Sequence, residues 1–162
     1  MHYLQLGAYN HLAGEINALY HEAAVRAGIS DSVQNILYVV CSRDGRCPQS
    51  EISKLTGISR QTINSAIRRL EQDGIVTVEP GKGRNTVICL TERGAAFAET
   101  RIQPLFAMEN RIWSEWTKEE QAQYLELTRK YRDGLKTYLN TVWQTPAAGD
   151  EDDEPREQEK TV

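Results

Sequence analysis

A chain of 162 residues has the length of one domain with a real core, and 40% hydrophobic content suits a chain that folds in water. No stretch approaches the roughly 20 apolar residues that span a bilayer, no leader-like segment opens the chain, and Cys41, Cys47 and Cys89 are too few for a disulfide framework. A cytoplasmic protein without membrane contact is expected. The formal charge of −4 speaks against nucleic acid only until it is located: residues 150–162 hold seven acids against Arg156 and Lys160, and removing that −5 leaves +1 for residues 1–149.

In chain order, Leu12, Ile16, Leu19 and Ala23 keep helical spacing beside Tyr9 and Tyr20, which predicts a helix over 3–26 closed by Gly28. His2, His11 and His21 lack the spacing of metal ligands on one helical face. Ser30 or Asp31 can cap a second helix, with Asp31 and Gln34 at capping-box spacing, and Val33, Ile36, Leu37 and Val40 form its buried face. Arg43-Asp44-Gly45 ends it. Arg46-Cys47 falls where a short strand would sit, but two residues carry no signal of their own. Pro48 to Thr56 reads as a short helix with Ile52 and Leu55 facing in, and Gly57-Ile58-Ser59 as a tight turn into the next.

That next helix organises the chain. Ile63, Ala66, Ile67 and Leu70 recur at i, i+3, i+4 and i+7, Ser59 is a natural N-cap, and Gly74 stands where a left-handed residue stops a helix. Its opposite face carries Gln61, Ser65, Arg68 and Gln72, flanked by Thr62, Asn64 and Arg69. Short hydroxyls, amides and arginines are the chemistry that reads base edges in a major groove. On an isolated helix the same pattern is an ordinary solvated face; its neighbours decide. Two short helices joined by a glycine turn form a helix-turn-helix. The β-branched run Ile75 to Glu79, the basic turn Pro80 to Asn85 and the run Thr86 to Leu90 then predict a hairpin, the wing of a winged helix-turn-helix.

Thr91 caps a helix from Glu92 to about Ser114, kinked by Pro104. Thr117 to Glu120 is a capping box opening the last helix, on which Tyr124, Leu127, Tyr131, Leu135, Tyr138 and Val142 hold a near-heptad stripe. A stripe of this kind is more often core. The helix-turn-helix is too small to bury both terminal helices, however, so a homodimer is expected. From Pro146 the chain becomes acidic and poor in apolar residues, and 144–162 is expected to be a disordered tail.

The segment Pro48 to Gly94 resembles the DNA-binding core of the multiple antibiotic resistance regulator (MarR) family. The resemblance lies in Ser59-Arg60-Gln61-Thr62, in Leu70-Glu71-Gln72-Asp73-Gly74-Ile75-Val76, in Arg84 at the wing tip, and in Leu90-Thr91-Glu92-Arg93-Gly94. Lys82 stands where the family usually has an acid that fixes the wing arginine. The order of flanking elements extends the similarity to residues 3–143. It implies a mainly α fold with a small β wing, in which 28–95 form the winged helix-turn-helix and 1–27 and 96–143 a helical dimerisation region. It also implies a homodimeric, ligand-responsive repressor on a pseudopalindromic site in double-stranded DNA. Base-edge or groove contact is expected from Gln61, Thr62, Asn64, Ser65 and Arg68, and phosphate contact from Arg60, Arg69, Lys82 and Arg84, with Ser59 at the helix start also counted among the DNA-binding residues.

The family's small-molecule effectors bind between dimerisation helices and DNA-binding lobe, which makes Tyr9, Tyr20, Tyr38 and Trp113 candidate lining residues; aromatics at helical spacing are more often core. No phosphate loop, dinucleotide pattern, zinc motif or positioned nucleophile is present, so neither cofactor nor enzymatic activity is expected. Two alternatives remain. One is a winged-helix module that binds protein instead of DNA, and the retained cations oppose it. The other is a redox switch, for which Cys47 beside Arg46 is the candidate thiolate and Cys41 and Cys89 read as buried small hydrophobes.

Overall fold

The apolar spacings named above produce seven helices and three short strands in a computed structural model that describes residues 6–83 and 85–142. The order is α1 (Gly7–Ala27), α2 (Asp31–Cys41), β1 (Arg46–Pro48), α3 (Gln49–Thr56), α4 (Arg60–Gln72), β2 (Val76–Pro80), β3 (Thr86–Leu90), α5 (Glu92–Arg101), α6 (Gln103–Ser114) and α7 (Lys118–Val142). The chain divides into two compact units, residues 1–114 and 115–162. The acidic tail expected over 144–162, and Arg84, lie outside the described residues.

The core of the first unit lies between α2, α3, α4 and the sheet. Ile36, Leu37 and Val40 from α2, Ile52 from α3, the whole stripe Ile63, Ala66, Ile67 and Leu70 from α4, and Val76 and Ile88 from the hairpin are buried together. A buried side chain of this size stabilises by about 1.5–3 kcal/mol each, which fixes α4 with its polar face outward. Leu55 departs from expectation: it is 58% exposed, because α3 has only two turns and Ile52 alone reaches the core. The sheet is antiparallel in the order β1-β3-β2, with Cys47 opposite Ile88 and Val78 opposite Ile88 on the other side.

Local signals set most boundaries. Ser30, not Asp31, caps α2 by accepting from the Val33 amide at 3.3 Å. The Asp31–Gln34 box does not form, since Gln34 Nε2 donates to the Tyr20 carbonyl at 3.0 Å and Asp31 meets His21 at 2.9 Å. Ser59 Oγ accepts from the Thr62 amide, and Gly74 at φ 69° turns the chain from α4 into β2. Thr91 Oγ accepts from Gly94 N at 2.9 Å and donates to the Gly74 carbonyl at 2.6 Å, so one hydroxyl caps α5 and ties it to the end of α4.

Pro104 does more than kink a helix. α5 closes on the bond from Ile102 N to the Ala98 carbonyl, and α6 starts with Leu105 N and Phe106 N donating to the Ile102 carbonyl. Proline in the first turn of α6 forfeits no bond, because that amide has no intrahelical partner there.

In the second unit the capping box forms. Glu120 Oε2 accepts from Thr117 N at 2.8 Å, and Thr117 Oγ1 accepts from Glu120 N at 3.2 Å. Tyr124 meets Trp116 edge-on at 5.2 Å between ring centroids, while Leu127, Leu135, Tyr138 and Val142 are exposed in the single chain. In the first unit Leu12, Ile16 and Leu19 of α1 are exposed likewise.

Candidate nucleic-acid interface

Helix α4 owes its outward face to its buried one. With Ile63, Ala66, Ile67 and Leu70 fixed inward, Ser59, Arg60, Gln61, Thr62, Asn64, Ser65, Arg68 and Arg69 are all exposed, and so is Lys82 in the wing. Three hydroxyls are committed locally: Ser59 Oγ lies 2.9 Å from Thr62 Oγ1, and Ser65 Oγ donates to the Gln61 carbonyl at 3.0 Å. These bonds hold the side chains close to the helix and leave acceptor lone pairs outward.

Arg60, Arg68, Arg69 and Lys82 make no ion pair with any described residue. Arginines elsewhere in the same unit do find carboxylates: Arg43 pairs with Glu51, and Arg46 with Glu79 at 2.8 Å. Glu51 and Glu79 are thus taken up by Arg43 and Arg46, while Arg60, Arg68, Arg69 and Lys82 pair with no described acid. Exposed guanidinium and ammonium groups without a carboxylate partner suit a polyanion.

Helix α4 is also tied sideways in a way no sequence pattern signals. Thr86 Oγ1, at the start of β3, donates to Gln49 Oε1 at 2.8 Å, and Gln49 Nε2 donates to Asn64 Oδ1. Asn85 Nδ2 donates to Ser50 Oγ at 2.9 Å. Wing root, α3 and α4 are thereby joined. On the other flank of α4 an open cleft of about 710 Å³ is lined by Thr62, Ser65, Arg69, Ser30, Ser32 and Arg93 over an apolar floor. Arg93 was not singled out from the sequence, because a residue in the first turn of α5 is far from α4 in the chain.

A second cavity of about 430 Å³ lies beside α1, α2 and α6. Tyr20 and Tyr38 come together there, donating to the two oxygens of Glu109 at 2.6 and 2.7 Å. Tyr38 stacks on Phe106 with centroids 4.5 Å apart. Burial, reinforced by the Glu109 bond, pushes the Tyr38 phenol far above its ordinary pKa. Tyr9 and Trp113 do not line this cavity. Glu109 was missed, since an acid on an otherwise mixed helix face carries no signal of its own.

The thiols are unlike the sequence expectation for Cys47. It is fully buried in β1, and burial pushes its pKa up, with Glu51 adding to the effect and Arg43 opposing it. Its neighbour Arg46 is turned to Glu79 instead. Burial raises Cys41 and Cys89 as well.

Comparison with known proteins agrees with this geometry. Residues 24–77 match the family model described as winged helix-turn-helix DNA-binding. The HTH-type transcriptional regulator FL11 of Pyrococcus furiosus is 37% identical over 49 residues, which is 30% of this chain and 32% of that protein. The chain thus aligns with about a third of the length of that curated relative. Three solved structures cover far more. NMB1585, a MarR family regulator from Neisseria meningitidis, has a TM-score of 0.76 at 14% identity, over 86% of this chain and 99% of that one. The MarR family regulator Sco3205 from Streptomyces coelicolor, solved in complex with DNA, has a TM-score of 0.62 at 23% identity, over 79% and 86%. The PcaV regulator from the same organism, solved with its natural ligand, has a TM-score of 0.58 at 19% identity, over 82% and 98%. This chain therefore carries a winged helix-turn-helix of the DNA-binding kind on the fold of the MarR family regulators.

Proposed function

We propose that the protein is a transcriptional regulator that binds a pseudopalindromic site in duplex DNA as a homodimer, without enzymatic activity, in the cytoplasm. The observation that carries this is the exposed face of α4, where amides, hydroxyls and Arg60, Arg68 and Arg69, in no ion pair with a described residue, share one helix, with Lys82 exposed in the wing. In this assignment Gln61, Thr62, Asn64, Ser65 and Arg68 meet base edges or the groove wall. Arg60, Arg69, Lys82 and Arg84 hold phosphate, and Ser59 supports the helix start.

Residues 28–95 form the DNA-binding region, and 1–27 with 96–143 the dimerisation region. Support for the dimer comes from the apolar side chains of α1 and α7 left exposed in a single chain. A second copy covers them and sets two recognition helices about one helical turn of DNA apart, roughly 34 Å. Repression follows when a bound dimer excludes polymerase. The cavity holding Tyr20, Tyr38 and Glu109 is the assigned effector site, because a ligand there touches α1, α2 and α6 at once and so can shift the DNA-binding lobe.

The test is selection of duplexes from a random pool by the purified chain, with sedimentation of the same sample. An inverted repeat recovered by two chains per particle is expected. Recovery of no common sequence, or of a single half-site by a monomer, contradicts the proposal.

A further inference from the structure

We propose that Gln49 fixes which edge of the Asn64 amide faces the DNA groove, so that wing and recognition helix act as one reading unit; this rests on α4 being the recognition helix. An asparagine side chain carries an acceptor and two donors on one planar group, and in a groove it commonly uses both, pairing with N6 and N7 of adenine. Here the two edges are not equivalent. Gln49, half-buried at the first position of α3, accepts from Thr86 Oγ1 through Oε1, which leaves its NH2 group for Asn64. That NH2 donates to Asn64 Oδ1. The carbonyl edge of Asn64 is therefore engaged with the protein, and its NH2 edge is the one left for a base.

An outward donor selects bases that present an acceptor in the major groove, guanine (O6, N7), thymine (O4) or adenine (N7), over cytosine, which presents only N4–H. Adenine loses the bidentate pairing. The chain of three side chains begins in β3, so the wing root sets this polarity. The bond from Asn85 to Ser50 holds the same wing root against α3 at a second point.

The polarity can be inverted by one substitution. A glutamate at position 49 only accepts, so in Gln49→Glu it takes hydrogen bonds from Thr86 Oγ1 and from Asn64 Nδ2, and turns Oδ1 outward. The experiment is selection from a random duplex pool, followed by titration, with full-length wild type, Gln49→Glu and Asn64→Ala. Wild type is expected to disfavour cytosine about tenfold against guanine, thymine and adenine at one position per half-site. Asn64→Ala should lose preference at that position alone, and Gln49→Glu should favour cytosine over guanine and thymine there, with the rest of the site unchanged. A thermal melt by circular dichroism checks that each variant is folded. Thr86→Val, which removes only the donor to Gln49, should blur the same position without moving the others.

The proposal is overturned if Gln49→Glu keeps the wild-type discrimination against cytosine, or if folded Gln49→Glu weakens every duplex equally, as a merely structural role requires. It is also overturned if Asn64→Ala leaves the selected site unaltered. If wild type selects no sequence at all, the DNA-binding function itself fails.

Discussion

Gly94→Ala is the substitution whose cost the structure states most directly. A Cβ at this position would sit 1.9 Å from the Ile75 carbonyl oxygen and 2.9 Å from its carbon, where ordinary contact begins near 3.4 Å. The obstacle is backbone, so no rotamer change relieves it. To gain the missing distance the start of α5 must move by about 1.5 Å away from Ile75, the difference between ordinary contact and the clash. Thr91 resists that movement, since it donates to the Gly74 carbonyl, accepts from Gly94 N and gives its own amide to Ile75 O at 3.1 Å. Ordinary overpacking costs about 1–3 kcal/mol, and each hydrogen bond lost adds about 1, so roughly 3–5 kcal/mol is expected. For a unit of about 100 residues, the lower figure alone lowers Tm by roughly 12–24 °C. The assay is urea and thermal unfolding beside Gly14→Ala. Gly14 has nothing within 4 Å of its would-be Cβ and is exposed in α1, so alanine there should stabilise by about 0.5–1 kcal/mol. If Gly94→Ala unfolds within about 1 kcal/mol of wild type, the packing of the α5 start against Ile75 is not as described.

Two further outcomes follow from titrating groups. Hydrogen bonds from Thr117 N and Oγ1 hold the Glu120 carboxyl below its ordinary value of 4.5. A depressed folded-state pKa supports the start of α7 above the unfolded value, and this support is lost as pH falls through the folded one. The Thr117 amide resonance should therefore titrate with a midpoint below 4.5, and Glu120→Gln should abolish that titration; a midpoint at or above 4.5 contradicts the box. The three thiols, all raised by burial, should alkylate at least about tenfold more slowly in native protein at neutral pH than in urea. A native thiol as reactive as a free cysteine would restore the redox alternative.

Where the chain signals structure locally, it is legible. The stripe Ile63, Ala66, Ile67 and Leu70, the caps Ser59, Thr91 and Thr117, and the glycine at Gly74 need only neighbours within a turn or two, and each stands where the spacing places it. What depends on residues distant in the chain is not legible. β1 exists because β3 lies beside it, and three residues cannot announce that pairing. Cys47 reads as a loop thiol until β1 forms and buries it. Leu55 has the spacing of a core residue, but a helix of eight residues has room to bury only Ile52. The candidate site divides the same way. The polar face of α4 is a property of one helix and is readable, whereas the link from Thr86 through Gln49 to Asn64 spans 37 positions. Glu109 lies 71 and 89 positions from the tyrosines it joins, which is why only Tyr20 and Tyr38 of the four candidate lining residues meet in one cavity.

Binding of the full chain to its selected duplex and to a scrambled duplex, titrated across a range of salt concentrations, tests DNA recognition by α4 most directly. Four phosphate-holding cations per protomer give eight per dimer, so log K should fall against log salt with a slope of about −7. Arg68→Ala should cost about 1–3 kcal/mol on the selected duplex and relax one base pair per half-site. Lys82→Ala should instead weaken both duplexes by similar factors and flatten the slope by about 2 for the dimer. A slope near zero, or Arg68→Ala weakening every sequence alike while Lys82→Ala changes base preference, would contradict the assignment of α4 as reader and the wing as anchor.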